Sequence, residues 1–493
     1  MSKIAIIGSG FSGLSAAACL SAAGEEVHVF EKNTTAGGRA RQLKTENGYV
    51  FDIGPSWYWM PDVFEQFFNG FGYSVADWYD LKLLDPSFEL VFADGIMSIP
   101  SGYTQLCNLF ETVEKGSSYQ LERFMKEARF KYETGMKNLT RMPGISLMEF
   151  ADINLIKGAM RLQIFSSFSN HVRKYFSNPK LIALIEFPVL FLGAMPQDTP
   201  ALYSLMNYAG LQLGTWYPMG GFGKVTASIE QICKNQGTTF HFNSPVEKII
   251  VEDHLARGVV VNDKTIDFDA VIASADYHHV EQDLLPENLR NYKGSYWAKK
   301  TFAPSCLIYL IGISKKIKSI QHHTLFFEED LFQHSKEIYK DPQWPSNPLF
   351  YVCCSSKTDV GIAPEGHENL FILMPLAPGL TDNEALREKY FDIMLNRLEK
   401  HIGEELWPAI DFKKSYCIND FVADYHSYKG NAYGLANTLR QTAILKPKIR
   451  NKKVSNLFYA GQLTVPGPGV PPSLMSGKIA ANQVIKYLKN KKA

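Results

Sequence analysis

The stretch Ile4-Ala5-Ile6-Ile7-Gly8-Ser9-Gly10-Phe11-Ser12-Gly13 limits what this chain can fold into more than any other. Four consecutive apolar residues read as a strand buried on both faces, and the small, apolar LSAAACLSAA after the glycines reads as a helix. The glycines between them form G-x-G-x-x-G in the context that motif requires, at the opening of a βαβ unit. Gly8 permits the tight turn, Gly10 lets a pyrophosphate approach the backbone, and Gly13 lets helix and strand pack closely. Ser9, Phe11 and Ser12 complete a loop whose phosphate ligand sits on the helix N-terminus. A second strand, EVHVFEK, ends at Glu31, where a carboxylate accepts from both ribose hydroxyls and repels a 2′-phosphate; Lys32 comes next at the same edge. The expectation is an α/β fold with a Rossmann-like dinucleotide site.

The segments beyond Glu31 decide between dinucleotides. NTTAGGRARQ leaves backbone uncovered at Gly37 and Gly38, and Arg39 can reach a phosphate or the flavin side. YVFDIGPSWYWMP then returns the chain with Gly54, Pro55 and Ser56 at a further ligand approach. Near the other end, NLFYAGQ reads as a buried strand ending in Gly461. After it come Gly469, Val470, Pro471 and a helix starting near Ser473, its positive end toward the ligand. A cofactor touched by both chain ends is long, and stabilisation of negative charge at the isoalloxazine edge is what a reduced flavin needs. The combination favours FAD.

Composition removes other classes. The 493 residues exceed one typical core, so two or more domains are expected, interleaved in sequence. A net charge of +1 with scattered basic residues argues against nucleic acid. Seven cysteines without a C-x-x-C indicate neither a disulfide framework nor a zinc site, and a reducing cytoplasm fits best. Met1 leads straight into a strand, so no signal peptide is read. The most apolar run, 181–196, is interrupted by Glu186 and Pro188 and is too short to span a bilayer.

GSGFSGL, FEKNTTAGGRARQ, FDIGPSWYWMPDVF, ALYSLMNYAGLQLGTWYPMGGFGKV and FYAGQLTVPGPGVPPSLMSGKIAA resemble the bacterial carotenoid desaturase family, phytoene desaturase type, and look most like its Bacteroidetes members. The likeness runs from residue 3 to about 488. Its first and last motifs are shared with amine oxidases and protoporphyrinogen oxidases, and the middle ones are more specific. Many relatives place an acid where Gln462 follows Gly461; Gln still hydrogen-bonds a ribityl hydroxyl. The resemblance implies non-covalent FAD, backbone contact with adenine at Val246, a hydrophobic polyene drawn from a membrane, and stepwise insertion of C=C bonds.

On this reading the FAD-binding part comprises 1–85, 221–285 and 440–493. A mixed-sheet substrate part comprises 86–103, 176–220 and 286–439, with a helical, membrane-facing region over 104–175. In that region Ile156, Met160, Ile164, Phe168, Val172 and Phe176 recur every fourth residue, Phe165 widens the stripe, and Lys157, Arg161, Arg173 and Lys174 lie off it. Such a pattern suits either a helix in the interface of an acidic lipid surface or simple core. The expected location is cytoplasmic, on the inner face of the membrane.

Desaturation of a C–C bond flanked by alkenes removes a hydride to flavin N5 and then a proton from a delocalised cation. That proton is acidic enough for water or a modest base, and no Ser–His–Asp constellation is needed. Glu186, alone in an apolar run, is the candidate carboxylate. Trp57, Tyr58 and Trp59 come after a cofactor glycine, and Trp216 and Tyr217 precede another pair, so both sets are expected to wall the junction of flavin and substrate. The reaction read here is phytoene towards lycopene, with oxygen or a quinone as electron acceptor. The alternatives are 3,4-desaturation of a 1′-hydroxylated carotenoid, a redox-neutral carotene isomerase, and a non-catalytic carotenoid-binding protein.

Overall fold

Gly8-Ser9-Gly10 joins a strand, Lys3–Ile7, apolar from Ile4 on, to a helix, Phe11–Ala22, in a computed structural model that describes residues 1–137, 162–163, 166–190, 193–442 and 445–492. That strand is the centre of a five-stranded sheet with the order Leu457–Tyr459, Ala270–Ala273, Lys3–Ile7, Glu26–Phe30, Thr239–His241. Every pairing in it is parallel, so strands from the two ends and the middle of the chain lie side by side. Parallel sheets are covered on both faces, which is why Ile4 to Ile7 and the strands Ala270–Ala273 and Leu457–Tyr459 are apolar and buried, while the polar residues Glu26, His28, Thr239 and His241 sit on the strands toward one edge.

Close packing of the first helix explains its small residues. A Cβ at Gly13 would collide with the carbonyl of Gly8, and one at Gly477, on the C-terminal helix Val470–Lys492, would collide with the carbonyl of Ser12. Ala16, Ala17 and Ala18 are fully buried in the same core as Val225 and Ile229 of the helix Phe222–Asn235. An antiparallel three-stranded sheet, Val246–Glu252, Leu255–Val261 and Lys264–Asp267, hangs from the same half.

The other half is a seven-stranded mixed sheet with the order Ile410–Tyr416, Ser305–Ile313, Glu368–Leu376, Phe350–Cys353, His323–Phe326, Phe88–Phe92, Gly95–Ile99. Only His323–Phe326 and Phe88–Phe92 pair in parallel. Along Ser305–Ile313, Leu307, Tyr309 and Ile311 pack with Phe391 and Leu398 of the helix Glu384–Ile402. Cys306, Ile308 and Leu310 point the opposite way, toward a core shared with Phe110, Phe124 and Leu184. The period of two thus assigns one face to structure and leaves the other facing the first half.

Two expectations change. Among the described residues, 176–220 adds no strand to the large sheet: the segment is largely helical, beginning with Pro179–Leu190, and Trp216–Pro218 pairs with Leu81–Leu83 in a separate two-stranded ribbon. In the stripe, Phe168, Val172 and Phe176 are buried in the core with Phe110 and Phe124, because an apolar stripe satisfied by neighbouring helices has no surface left for lipid. Ile156, Lys157, Met160, Arg161, Ile164 and Phe165 lie outside the described residues. Among the described residues, no helix is long and apolar enough to cross a membrane.

Candidate functional site

A cavity runs along the carboxyl edge of the parallel sheet, and its walls come from both halves. At one end stands the glycine turn. Gly10 is the N-cap of the first helix and has no side chain to cap it, so the first N–H groups are left for a ligand. Across from it lies Gly38, and a Cβ on Gly38 would come within 3.1 Å of the Gly10 Cα, so the close approach of these two backbones depends on glycine at 38. Glu31, 4% exposed, accepts from Ser9 N (2.9 Å) and Ser9 Oγ (2.7 Å) on one oxygen, and from Asn33 N (2.9 Å) and Asn33 Nδ2 (2.9 Å) on the other. The carboxylate therefore holds the loop in shape, with both of its oxygens engaged by Ser9 and Asn33.

Arg39 lines the same cavity. It donates to Ser427 Oγ (2.7 Å) and Asn431 O (3.4 Å), and its guanidinium lies 5.0 Å from the centre of the Tyr425 ring. The Gln462 amide oxygen, turned toward it, accepts at 3.0 Å. Burial pushes the guanidinium below its ordinary range, with the Asp276 charge opposing, and Nε has no partner. Asp276, 8% exposed, lies three residues after the strand Ala270–Ala273 and caps the next helix: one oxygen accepts from His278 N (3.0 Å) and His279 N (3.3 Å), while Oδ2 is unpartnered. Burial pushes this carboxyl up to about 6. Two buried polar atoms without partners, a glycine crevice and an uncapped helix all bordering one cavity fit FAD.

Gly8, Ser9, Gly10, Phe11, Ser12, Glu31, Lys32, Gly38, Arg39, Gly54, Pro55, Val246, Gly461, Gly469 and Val470 all line this cavity. The N-terminus of the C-terminal helix faces it through Gly469, Val470 and Ser473. Three other expected contacts do not line it. Gly13 packs helix on loop, Ser56 Oγ shares a hydrogen bond with Tyr351 OH (2.9 Å), and Pro471 belongs to the first turn of its helix. Gly54 has a packing reason of its own, since a Cβ there would collide with the carbonyl of Arg39.

None of the five expected wall rings lines the cavity. Tyr58 is fully buried, stacked on Phe64 (4.2 Å) and bonded to Tyr79 OH (2.9 Å), inside the core of the parallel-sheet half. Trp216 donates from Nε1 to Leu213 O (2.8 Å), and Tyr217 packs against Leu84 and Ile362. Trp59 donates to Thr215 Oγ1 (2.9 Å), and Trp57 lies flat against His323 (4.2 Å between centres, 8° between planes). The pattern W-Y-W marked aromatic burial correctly but not its direction. The large sheet reaches the cavity instead through Cys306, Ile308 and Leu373, on the face opposite Leu307 and Tyr309, with Tyr433 beside them.

Glu186 does not line the cavity either. It is buried and paired with Arg173, which supplies the charge that an isolated carboxylate would lack. Sequence reasoning missed Asp276, Tyr425 and Tyr433. Asp276 had a signal: VIASAD places an acid just beyond the carboxyl end of a buried strand, where ligands of parallel sheets bind. The others lie on segments whose approach depends on the fold.

The family model described as "Flavin containing amine oxidoreductase" matches residues 11–485. A carotenoid 3,4-desaturase of Haloarcula japonica is 38% identical over 485 residues, 98% of either chain. A 4,4′-diapophytoene desaturase (4,4′-diaponeurosporene-forming) of Staphylococcus aureus is 29% identical over 498 residues, 98% of this chain and 99% of that one. Among solved structures, an oxidoreductase from Methanosarcina mazei shares the fold with a TM-score of 0.63 at 18% identity, covering 99% of this chain and 100% of that one. The cradle for a long dinucleotide, closed at its far end by an apolar sheet face, and this likeness over nearly the whole length lead to one conclusion: the chain belongs to the flavin-containing amine oxidoreductases and, within them, to the carotenoid desaturases, as an FAD-dependent oxidoreductase.

Proposed function

We infer that this desaturase introduces the 3,4 double bond of a long, already conjugated carotenoid. The observation that carries this reading is the 38% identity with the Haloarcula japonica carotenoid 3,4-desaturase over 98% of both chains. Conversion of phytoene towards lycopene is the second reading, favoured by the 29% identity with a 4,4′-diapophytoene desaturase.

The segments 1–85, 221–285 and 440–493 form the FAD-binding part, and the remainder holds the substrate. Gly8, Gly10 and the first helix N-terminus take the pyrophosphate, Glu31 the ribose, Val246 the adenine side, and Arg39, Asp276 and Gln462 the ribityl and flavin end. Bound FAD supplies a hydride acceptor. Cys306, Ile308, Leu373 and Tyr433 hold the polyene without offering it a charge, which excludes water from the carbon that gives up the hydride. The neighbouring carbon then loses a proton made acidic by delocalised positive charge, so a strong base is unnecessary. Glu186, held by Arg173, positions its helix. The protein takes its substrate at a lipid surface, since a polyene partitions there.

The test is anaerobic mixing of FAD-loaded protein with vesicles containing phytoene, lycopene or a 1′-hydroxylated conjugated carotenoid. The expected result is flavin bleaching with a conjugated carotenoid and a product longer by one conjugated bond. Reduction by phytoene alone, in several steps, establishes the second reading instead. Readmitting oxygen or a quinone identifies the electron acceptor.

A further inference from the structure

We propose that His322, His323 and Cys353 form a binding site for one divalent cation of the zinc class, separate from the flavin cavity. His323 opens the strand His323–Phe326, and its directly opposed residue on the antiparallel neighbour is Cys353, the last residue of Phe350–Cys353. His322 precedes His323. One ring nitrogen of each imidazole and the Cys353 sulfur all lie within 4.8 Å of one another. Tetrahedral zinc with nitrogen and sulfur ligands holds such atoms roughly 3.3–3.8 Å apart, so small rotations of the side chains close the set. Among the described residues no other group of this kind occurs.

The second observation is how the imidazoles are held. His322 Nδ1 shares a hydrogen bond with Thr358 Oγ1 (2.6 Å), and His323 Nδ1 shares one with Tyr351 OH (2.7 Å). Both Nε2 atoms are buried without a partner, although the residues are only 5% and 0% exposed. An imidazole fixed through Nδ1 by an oxygen, with a bare Nε2, is the arrangement that outer partners impose on metal-binding histidines. A buried polar atom with no partner calls for an explanation, and here two occur together beside a thiol. Two imidazoles and one sulfur without a carboxylate select a borderline-soft cation over magnesium or calcium. Three protein ligands leave the fourth position to water.

The site would tie the ends of two strands together and, through the His323 ring, hold the Trp57 indole stacked on it. No residue of the set lines the flavin cavity, so its role is to position the aromatic cluster rather than to meet the cofactor. Nothing in cysteine spacing announces it, because the ligands are brought together by strand register.

The experiment is metal analysis of the untagged, FAD-loaded full chain, then chelation and titration with Co²⁺. The expected results are about one zinc per chain as purified and one Co²⁺ bound with a sulfur-to-cobalt charge-transfer band. Cys353→Ser should lose that band while keeping its FAD, and His322→Gln should weaken Co²⁺ binding at least tenfold. Should either variant fail to fold, the unsubstituted chain decides alone: less than a tenth of an equivalent of metal and no charge-transfer band on Co²⁺ addition overturns the proposal. One equivalent of copper in place of zinc overturns the choice of cation.

Discussion

Gly10→Ala separates the two jobs that glycine performs in the dinucleotide turn. Gly10 has φ −69° and ψ 177°, angles that alanine adopts freely, and the nearest atom to its added Cβ is the Gly38 Cα at 4.0 Å. The FAD-free fold should therefore keep its stability or gain about 0.4–1 kcal/mol from the stiffer unfolded chain. Bound FAD is another matter, because on the proposed assignment the methyl would stand where the pyrophosphate meets backbone N–H groups. Losing one hydrogen bond to a charged group costs about 1.5–3 kcal/mol, which corresponds to roughly 10–150-fold in Kd. Gly13→Ala is the control: its Cβ would strike the Gly8 carbonyl, so stability itself should fall by about 1–3 kcal/mol along with FAD binding. The assay pairs urea unfolding of the FAD-free variants with FAD titration by flavin fluorescence. If Gly10→Ala binds FAD within twofold of the unsubstituted chain, the assignment of this crevice to the pyrophosphate is wrong.

Glu31→Gln keeps the shape but presents an amide to the Ser9 and Asn33 donors, and should weaken FAD by at least tenfold in the same titration. Asp276 gives a pH signature: with its carboxyl raised from 3.8 to about 6, the folded chain holds more protons than the unfolded one between those values. Its contribution thus makes stability fall as pH rises from about 4 to 6 and level off above. Asp276→Asn keeps the helix cap and should remove that contribution, read as the difference between the two unfolding curves because Asp52 titrates in the same window. Glu186→Gln should cost about 1–2 kcal/mol of stability through the Arg173 contact and leave single-turnover desaturation within threefold; a hundredfold loss in a folded variant would restore Glu186 as a catalytic group. Phe168→Ser, at a fully buried site, should lower the thermal midpoint and release FAD, whereas a folded variant detached from vesicles would return this residue to the lipid interface.

Residues 3–31 were legible before any fold was known, because everything that decides them is contiguous. An apolar strand, a turn only glycine can make, a helix of small residues and an acid at the next strand end form one local unit, and the chain has no cheaper use for them. The second strand–glycine–helix unit, from Leu457 to Ser473, was legible for the same reason, and the structure brings it and the first unit to one cavity. Direction was not legible. Trp57, Tyr58 and Trp59 are adjacent, yet Tyr58 faces Phe64 and Tyr79 while Trp57 faces His323, since alternate side chains along an extended segment leave on opposite sides. The period of four that reaches Phe168, Val172 and Phe176 states only that something apolar covers that face, and the helices around Phe110 and Phe124 decided that it is protein. Glu186 looked isolated because Arg173 is not its neighbour in sequence, and Asp276 gained its environment from Arg39 on a distant loop. Local stereochemistry and hydrophobic period are properties of the chain itself; the charge, solvent and contacts around a side chain are set by residues that only folding brings near.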